Sequence, residues 1–177
     1  HNPAHSISVL DRATYIAMAE DVSNEDLEDL QIACLFHDTG FSEQYEKNEH
    51  IGARLARKWL EKNGYEPARI EKIEQIIMAT VLFSVPHTHL ECIIQDADLD
   101  NLGRKDCFIK TLLVRKELNT VAHMDISKNK WLEVSYNLIH KYHYRTPTAR
   151  SERNEIKLLN TQKLESAIAL PASMGDK

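Results

Sequence analysis

The stretch Cys34-Leu35-Phe36-His37-Asp38-Thr39-Gly40 decides how this chain is read. The apolar run Ile32-Ala33-Cys34-Leu35-Phe36 has the character of the last turns of a buried helix, and Gly40 is its natural stop. The run delivers an imidazole and a carboxylate side by side. A buried carboxylate is costly unless it is paired or bound to a metal, so this doublet asks for a cation. By itself a His-Asp pair is weak evidence, and its weight depends on other ligands elsewhere along the chain.

Helical periodicity extends outward from the doublet on both sides. A first helix is expected over about 3–20, with Ile7, Leu10, Thr14 and Ala17 or Met18 on its buried stripe. Ser23 and Asp26 resemble a capping box that opens the helix leading to His37-Asp38. A third helix is expected over 48–63 with Ile51, Leu55, Trp59 and Leu60 inward and Gly64 as its stop. Pro67 suits the first turn of a fourth helix, marked by Ile70, Ile73, Ile76 and Ile77 and running to about Phe83 before Pro86. A fifth runs from Leu90 to Gly103, a sixth over 106–120, a seventh over 130–144, and a last one over 148–170.

With only five glycines and five prolines against this near-continuous period, the fold class is all-α. The length of 177 residues suits one domain with a sizeable core and a helical extension. A net charge of −5 gives no support to a broad nucleic-acid footprint. No apolar run approaches the roughly 20 residues that span a bilayer, so no membrane segment is expected. Cys34, Cys92 and Cys107 are odd in number and set among apolar neighbours, which fits core thiols of a reducing, cytoplasmic setting. No signal peptide is legible, and because the chain opens inside a histidine pattern, residues upstream of His1 are expected.

His1 and His5 stand one helical turn apart at the start of the chain. The fifth helix carries Asp96, Asp98 and Asp100, an odd set for a core-facing segment without a cation or basic partner. Three helices of a bundle can therefore bring His5, His37, Asp38 and one of these aspartates to a common point. Mixed imidazole and carboxylate donors suit Mn, Fe, Co, Ni or Zn, or Mg with more water kept. Any one such histidine is more often a core or surface residue than a ligand. The ordered set favours the metal.

His5-Ser-Ile-Ser-Val, then His37-Asp38, then Asp96-Ala97-Asp98-Leu99-Asp100-Asn101-Leu102-Gly103-Arg104 resembles the HD-domain superfamily of metal-dependent phosphohydrolases, over about residues 1–110. The resemblance implies a single-domain helical bundle of that type over 1–125; the residues themselves, outside the resemblance, predict C-terminal helices over 126–170 packed on it and a disordered tail over 171–177. It implies that His5, His37, Asp38 and a late aspartate bind the metal. Asp98 is preferred because it follows Ala97 as in the family's Ala-Asp core, and Asp96 is the runner-up. His1-Asn2-x-x-His5 is similar to the opening of cyclic-nucleotide phosphodiesterases, which makes His1 a candidate general acid. His50 resembles the extra histidine that some members turn on a second metal or on substrate phosphate, and it is a candidate for both catalysis and substrate binding. Where binuclear members carry another histidine, this chain has Ala79-Thr80, which argues against a full two-metal centre and against the family's di-iron oxygenase branch.

The basic set Arg145, Arg150, Arg153 and Lys157 most often means a solvated face; folded over the metal, Arg145 and Arg150 would clamp a phosphate. Arg104 is expected to pair with Asp100 or Asp106. The function implied is hydrolysis of a phosphoester of a nucleotide or other small phosphorylated compound by metal-activated water, with Asp38 or His1 handling the proton. The alternative is a non-catalytic module that binds metal and a nucleotide or protein partner as a sensor. A second copy of the chain is the expected partner for assembly.

Overall fold

The computed structural model describes residues 3–169, and these contain eight α-helices and no strand. They are α1 Pro3–Ala19, α2 Asn24–Phe36, α3 Asn48–Lys62, α4 Pro67–Met78, α5 His89–Asp98, α6 Cys107–Thr120, α7 Lys128–Lys141 and α8 Pro147–Ala169. The all-α expectation holds. His1 and the expected tail over 171–177 lie outside the described residues.

The chain forms two compact units. The first runs to Asp100 and takes in Arg145–Ala149, and the second is Asn101–Tyr144 with the chain from Arg150 onward. In the first, α1 packs on α2 and α5, α2 on α4, and α3 on α4. Its core is formed by Val9, Ala13, Ile16, Ala17, Leu30, Ala33, Leu60, Ile73, Ile77, Ile93 and Ile94.

Local signals account for several helix ends. Ser23 caps α2 by accepting from the Asp26 N–H at 3.2 Å. At the end of α3, Gly64 takes φ +75°, Tyr65 N–H donates to the Leu60 carbonyl at 3.1 Å, and Gly64 N–H to that of Glu61 at 3.2 Å. That is a Schellman closure, with the Tyr65 ring against Trp59 at 6.0 Å. Pro67 opens α4 as expected.

Two buried faces differ from their expected stripes. On α1 the buried residues are Val9, Ala13, Ile16 and Ala17, while Ile7 and Met18 are exposed. On α3 they are Asn48, Gly52, Ala53, Ala56 and Leu60, with Trp59 half-exposed. On α3 Gly52 lies against the Phe36 and His37 carbonyls, while on both helices larger apolar side chains of the expected stripe stay exposed.

Some boundaries differ too. α4 stops at Met78, not near Phe83, because the Ala79 carbonyl is taken by the Ser84 hydroxyl at 2.7 Å and the Gln95 amide at 2.8 Å. α5 gives way at Asp98 to a 3₁₀ turn over Asp100–Gly103. α7 begins at Lys128 behind a Ser127 cap and ends at Lys141, where Tyr142 turns extended.

In the second unit, Asn160 on α8 is buried and donates to the carbonyls of Leu102 at 3.0 Å and Arg104 at 2.8 Å. Trp131 on α7 donates its indole N–H to the Thr111 carbonyl of α6 at 2.8 Å.

Candidate metal centre

The last carbonyls of a helix have no partner inside it, and at the end of α2 they are used to aim side chains. His37 N–H closes on the Ala33 carbonyl at 2.9 Å, and the Thr39 hydroxyl donates to that of Phe36 at 2.7 Å. Between them, Nδ1 of His37 lies 2.7 Å from the Cys34 carbonyl, which accepts its proton. That bond fixes a proton on Nδ1 and leaves Nε2 as the nitrogen pointing away from the helix.

What Nε2 faces is acidic. It lies 3.4 Å from Asp38 Oδ1 and 3.7 Å from Asp98 Oδ1, and no hydrogen bond satisfies it. Asp38 Oδ2 is also buried without a hydrogen-bond partner. From α1, His5 brings its Nε2 to 2.9 Å from Asp98 Oδ1 and 3.6 Å from Asp38 Oδ2. The His5 and His37 rings lie 5.6 Å apart.

One ligand atom from each of His5, His37 and Asp98 falls within 4.8 Å of the others, and Asp38 joins through the contacts above. Two donors about 2.1 Å from one cation lie within about 4.2 Å of each other, and the His–Asp separations of 2.9, 3.4, 3.6 and 3.7 Å fall inside that limit for a single divalent ion. The buried atoms left without partners supply the same answer from their chemistry. An imidazole nitrogen and a carboxylate oxygen, both buried without hydrogen bonds and close together, suit a cation. The His37 side chain is 1% exposed and that of His5 36%, so the pocket floor is sealed and its α1 side opens to solvent.

The electrostatics point the same way. Burial alone pulls the His37 imidazole down, but Asp98, Asp38 and the Cys34 carbonyl together leave it raised to about 9. For Asp98, burial works to raise the carboxyl, yet His37 and His5 hold it well below the ordinary carboxylate range. Burial lifts Asp38, and the neighbouring Asp98 adds to that against the pull of His37 and His5.

The aspartate set divides its work. Asp98 faces the histidines. Asp96 is fully buried and its carboxylate accepts from the Arg145 N–H at 3.0 Å, the Thr146 N–H at 2.7 Å and the Thr146 hydroxyl at 2.7 Å. It fastens the segment before α8 to α5. Arg145, expected at a phosphate, donates Nε–H to Gln95 Oε1 at 2.7 Å.

His50 is exposed in the first turn of α3. Arg150 is exposed on α8 and belongs to the second unit. Arg104 forms a two-pronged pair with Asp106, one of its two expected partners, while Asp100 goes to Arg12 at 2.7 Å. Thr80, standing where a further histidine would be, donates its hydroxyl to the Ile77 carbonyl at 2.7 Å. Arg12 was missed in reading the chain, although it lies seven residues after His5 and so on the same face of α1.

The family model for the HD domain matches residues 4–100 of the 177, a span that contains His5, His37, Asp38 and Asp98. No curated protein and no solved structure matches the chain. No helix among the described residues is long and apolar enough to cross a membrane.

Proposed function

The chain belongs to the HD-domain family, and from that premise we propose that it is a metal-dependent phosphohydrolase of a small phosphorylated compound, nucleotides included. The observation that carries this reading is the convergence of His5, His37 and Asp98 within 4.8 Å, with Asp38 beside them. These four residues would hold the ion, with Mn, Fe, Co, Ni, Mg and Zn all compatible with the donor set. When bound, a divalent ion lowers the pKa of its water and neutralises charge on phosphoryl oxygens.

The chain's own part is orientation and proton handling. The Cys34 carbonyl holds His37 in the tautomer that presents Nε2. Asp38 has two carboxylate oxygens at the site, so one can face the ion while the other accepts a proton from an attacking water. His5 stands at the solvent side, where substrate would enter. His50, exposed at the α3 N-terminus, is the candidate contact for the substrate's phosphate, and the peptide N–H groups there favour an anion.

The test is hydrolysis of p-nitrophenyl phosphate, bis(p-nitrophenyl) phosphate and a nucleotide panel by protein reconstituted with Mn²⁺ or Co²⁺. The expected result is turnover by wild type and a loss of about 100-fold or more in Asp38→Ala. A metal-loaded wild type that hydrolyses none of them contradicts the proposal. Nucleotide binding without turnover supports the sensor reading instead.

A further inference from the structure

In Asp96-Ala97-Asp98-Leu99-Asp100, the aspartates on either side of Asp98 are held by protein groups. Asp96 is tied to the backbone of Arg145 and Thr146. Asp100 is 6% exposed, and its Oδ1 lies 2.7 Å from Nε of Arg12, whose side chain is 10% exposed. We propose that Arg12 and Asp100 are positioning residues that set the register of α5 against α1 and so hold the Asp98 carboxylate on His5 and His37.

Three observations carry this. First, α5 ends at Asp98, and Leu99, at φ −96° and ψ 16°, has already left the helix. A carboxylate on the last helical residue is poorly fixed by its own helix, where ends fray. An anchor two residues beyond it stops that motion.

Second, His5 and Arg12 lie two turns apart on one face of α1, about 10.5 Å along its axis. His5–Asp98 and Arg12–Asp100 are thus two rungs between the same segments. One rung permits sliding and rotation; two fix both.

Third, a nearly buried ion pair is a poor source of stability, since its desolvation cost is large and apolar replacements are often neutral or stabilising. Specifying geometry is the use that such a pair serves well. Asp100 is also not a spare metal ligand, because the guanidinium already neutralises it at 2.7 Å.

This inference rests on the metal reading of the site, and the experiment separates the two. Mn²⁺ is titrated calorimetrically into chelator-treated wild type, R12M/D100L, R12K and H37A, and each metal-free protein is melted. The double variant swaps the pair for apolar side chains of similar bulk; it is expected to melt at or above wild type yet bind Mn²⁺ about 10- to 100-fold more weakly. R12K keeps the charge but cannot place it where Nε of Arg12 meets Asp100, so its affinity falls about 10-fold at little change in melting. A purely structural role would move melting and leave affinity in place. If both variants bind like wild type while H37A has lost binding, the positioning role is overturned and the metal site stands. If wild type binds no better than H37A, the metal reading fails and this inference with it. Should R12M/D100L not fold, R12K decides alone.

Discussion

His37 is constrained at both nitrogens of its ring. One ring nitrogen is fixed by the Cys34 carbonyl, and the other faces two carboxylates with no hydrogen bond. Its imidazole stands at about 9 in the fold against 6.5 in an unstructured chain. A histidine raised in this way contributes stability that is complete below pH 6.5 and is lost as pH rises through about 9. Chelator-treated protein should therefore lose stability in urea melts between pH 6.5 and 9.5, and His37→Ala should flatten that slope. Metal binding runs the opposite way, since the proton must leave Nε2 for a cation to take its place. Affinity for Mn²⁺ should rise over the same interval, with proton release visible as a buffer-dependent heat. A flat affinity profile would show that His37 is not a ligand. The doublet and His5 were legible in the chain because each is a costly or chemically specific residue at a helix end. Arg12 was not, since one arginine on an amphipathic helix carries no local mark of its partner 88 residues away.

At the scale of the elements, the site depends on close backbone contacts that apolar periodicity does not register. A Cβ on Gly52 of α3 would stand 2.6 Å from the Phe36 carbonyl oxygen and 3.1 Å from that of His37. At Gly40 it would meet the Asn48 carbonyl oxygen. The two glycines thus let α3 lie directly against the turn that carries His37-Asp38. Gly52→Ala is expected to destabilise by about 1–3 kcal/mol in urea melts, because the added methyl forces the backbones apart. It should weaken metal binding as well, which an alanine in ordinary helix would not do.

The same physics explains which helix faces were misjudged. Hydrophobic periodicity weights Ile7, Met18 and Trp59, whereas the faces that α1 and α3 bury include the small residues Ala13, Ala17, Gly52 and Ala56. Caps fared better, because Ser23, Gly64 and Pro67 act on their own backbone within a few residues. The early end of α4 depends on Gln95, 16 residues further on, and so had no local signal.

Over the whole molecule, the family match at 4–100 ends where the first compact unit leaves its continuous stretch, and Arg145–Ala149 completes that unit from far along the chain. Asp96 is what binds this late segment, and its burial here explains an aspartate that the chain alone left as a rival ligand. The proposed phosphohydrolase needs His5, His37, Asp38 and Asp98 to form one cation site. Thermal melts of chelator-treated protein against rising Mn²⁺ test it most directly. At a concentration 100 times Kd, binding to the folded state adds about 2.7 kcal/mol, roughly 5–10 °C for a chain of this size. Wild type should show that rise and Asp98→Asn should show none; a wild type that does not respond, or an equal rise in both, would contradict the account.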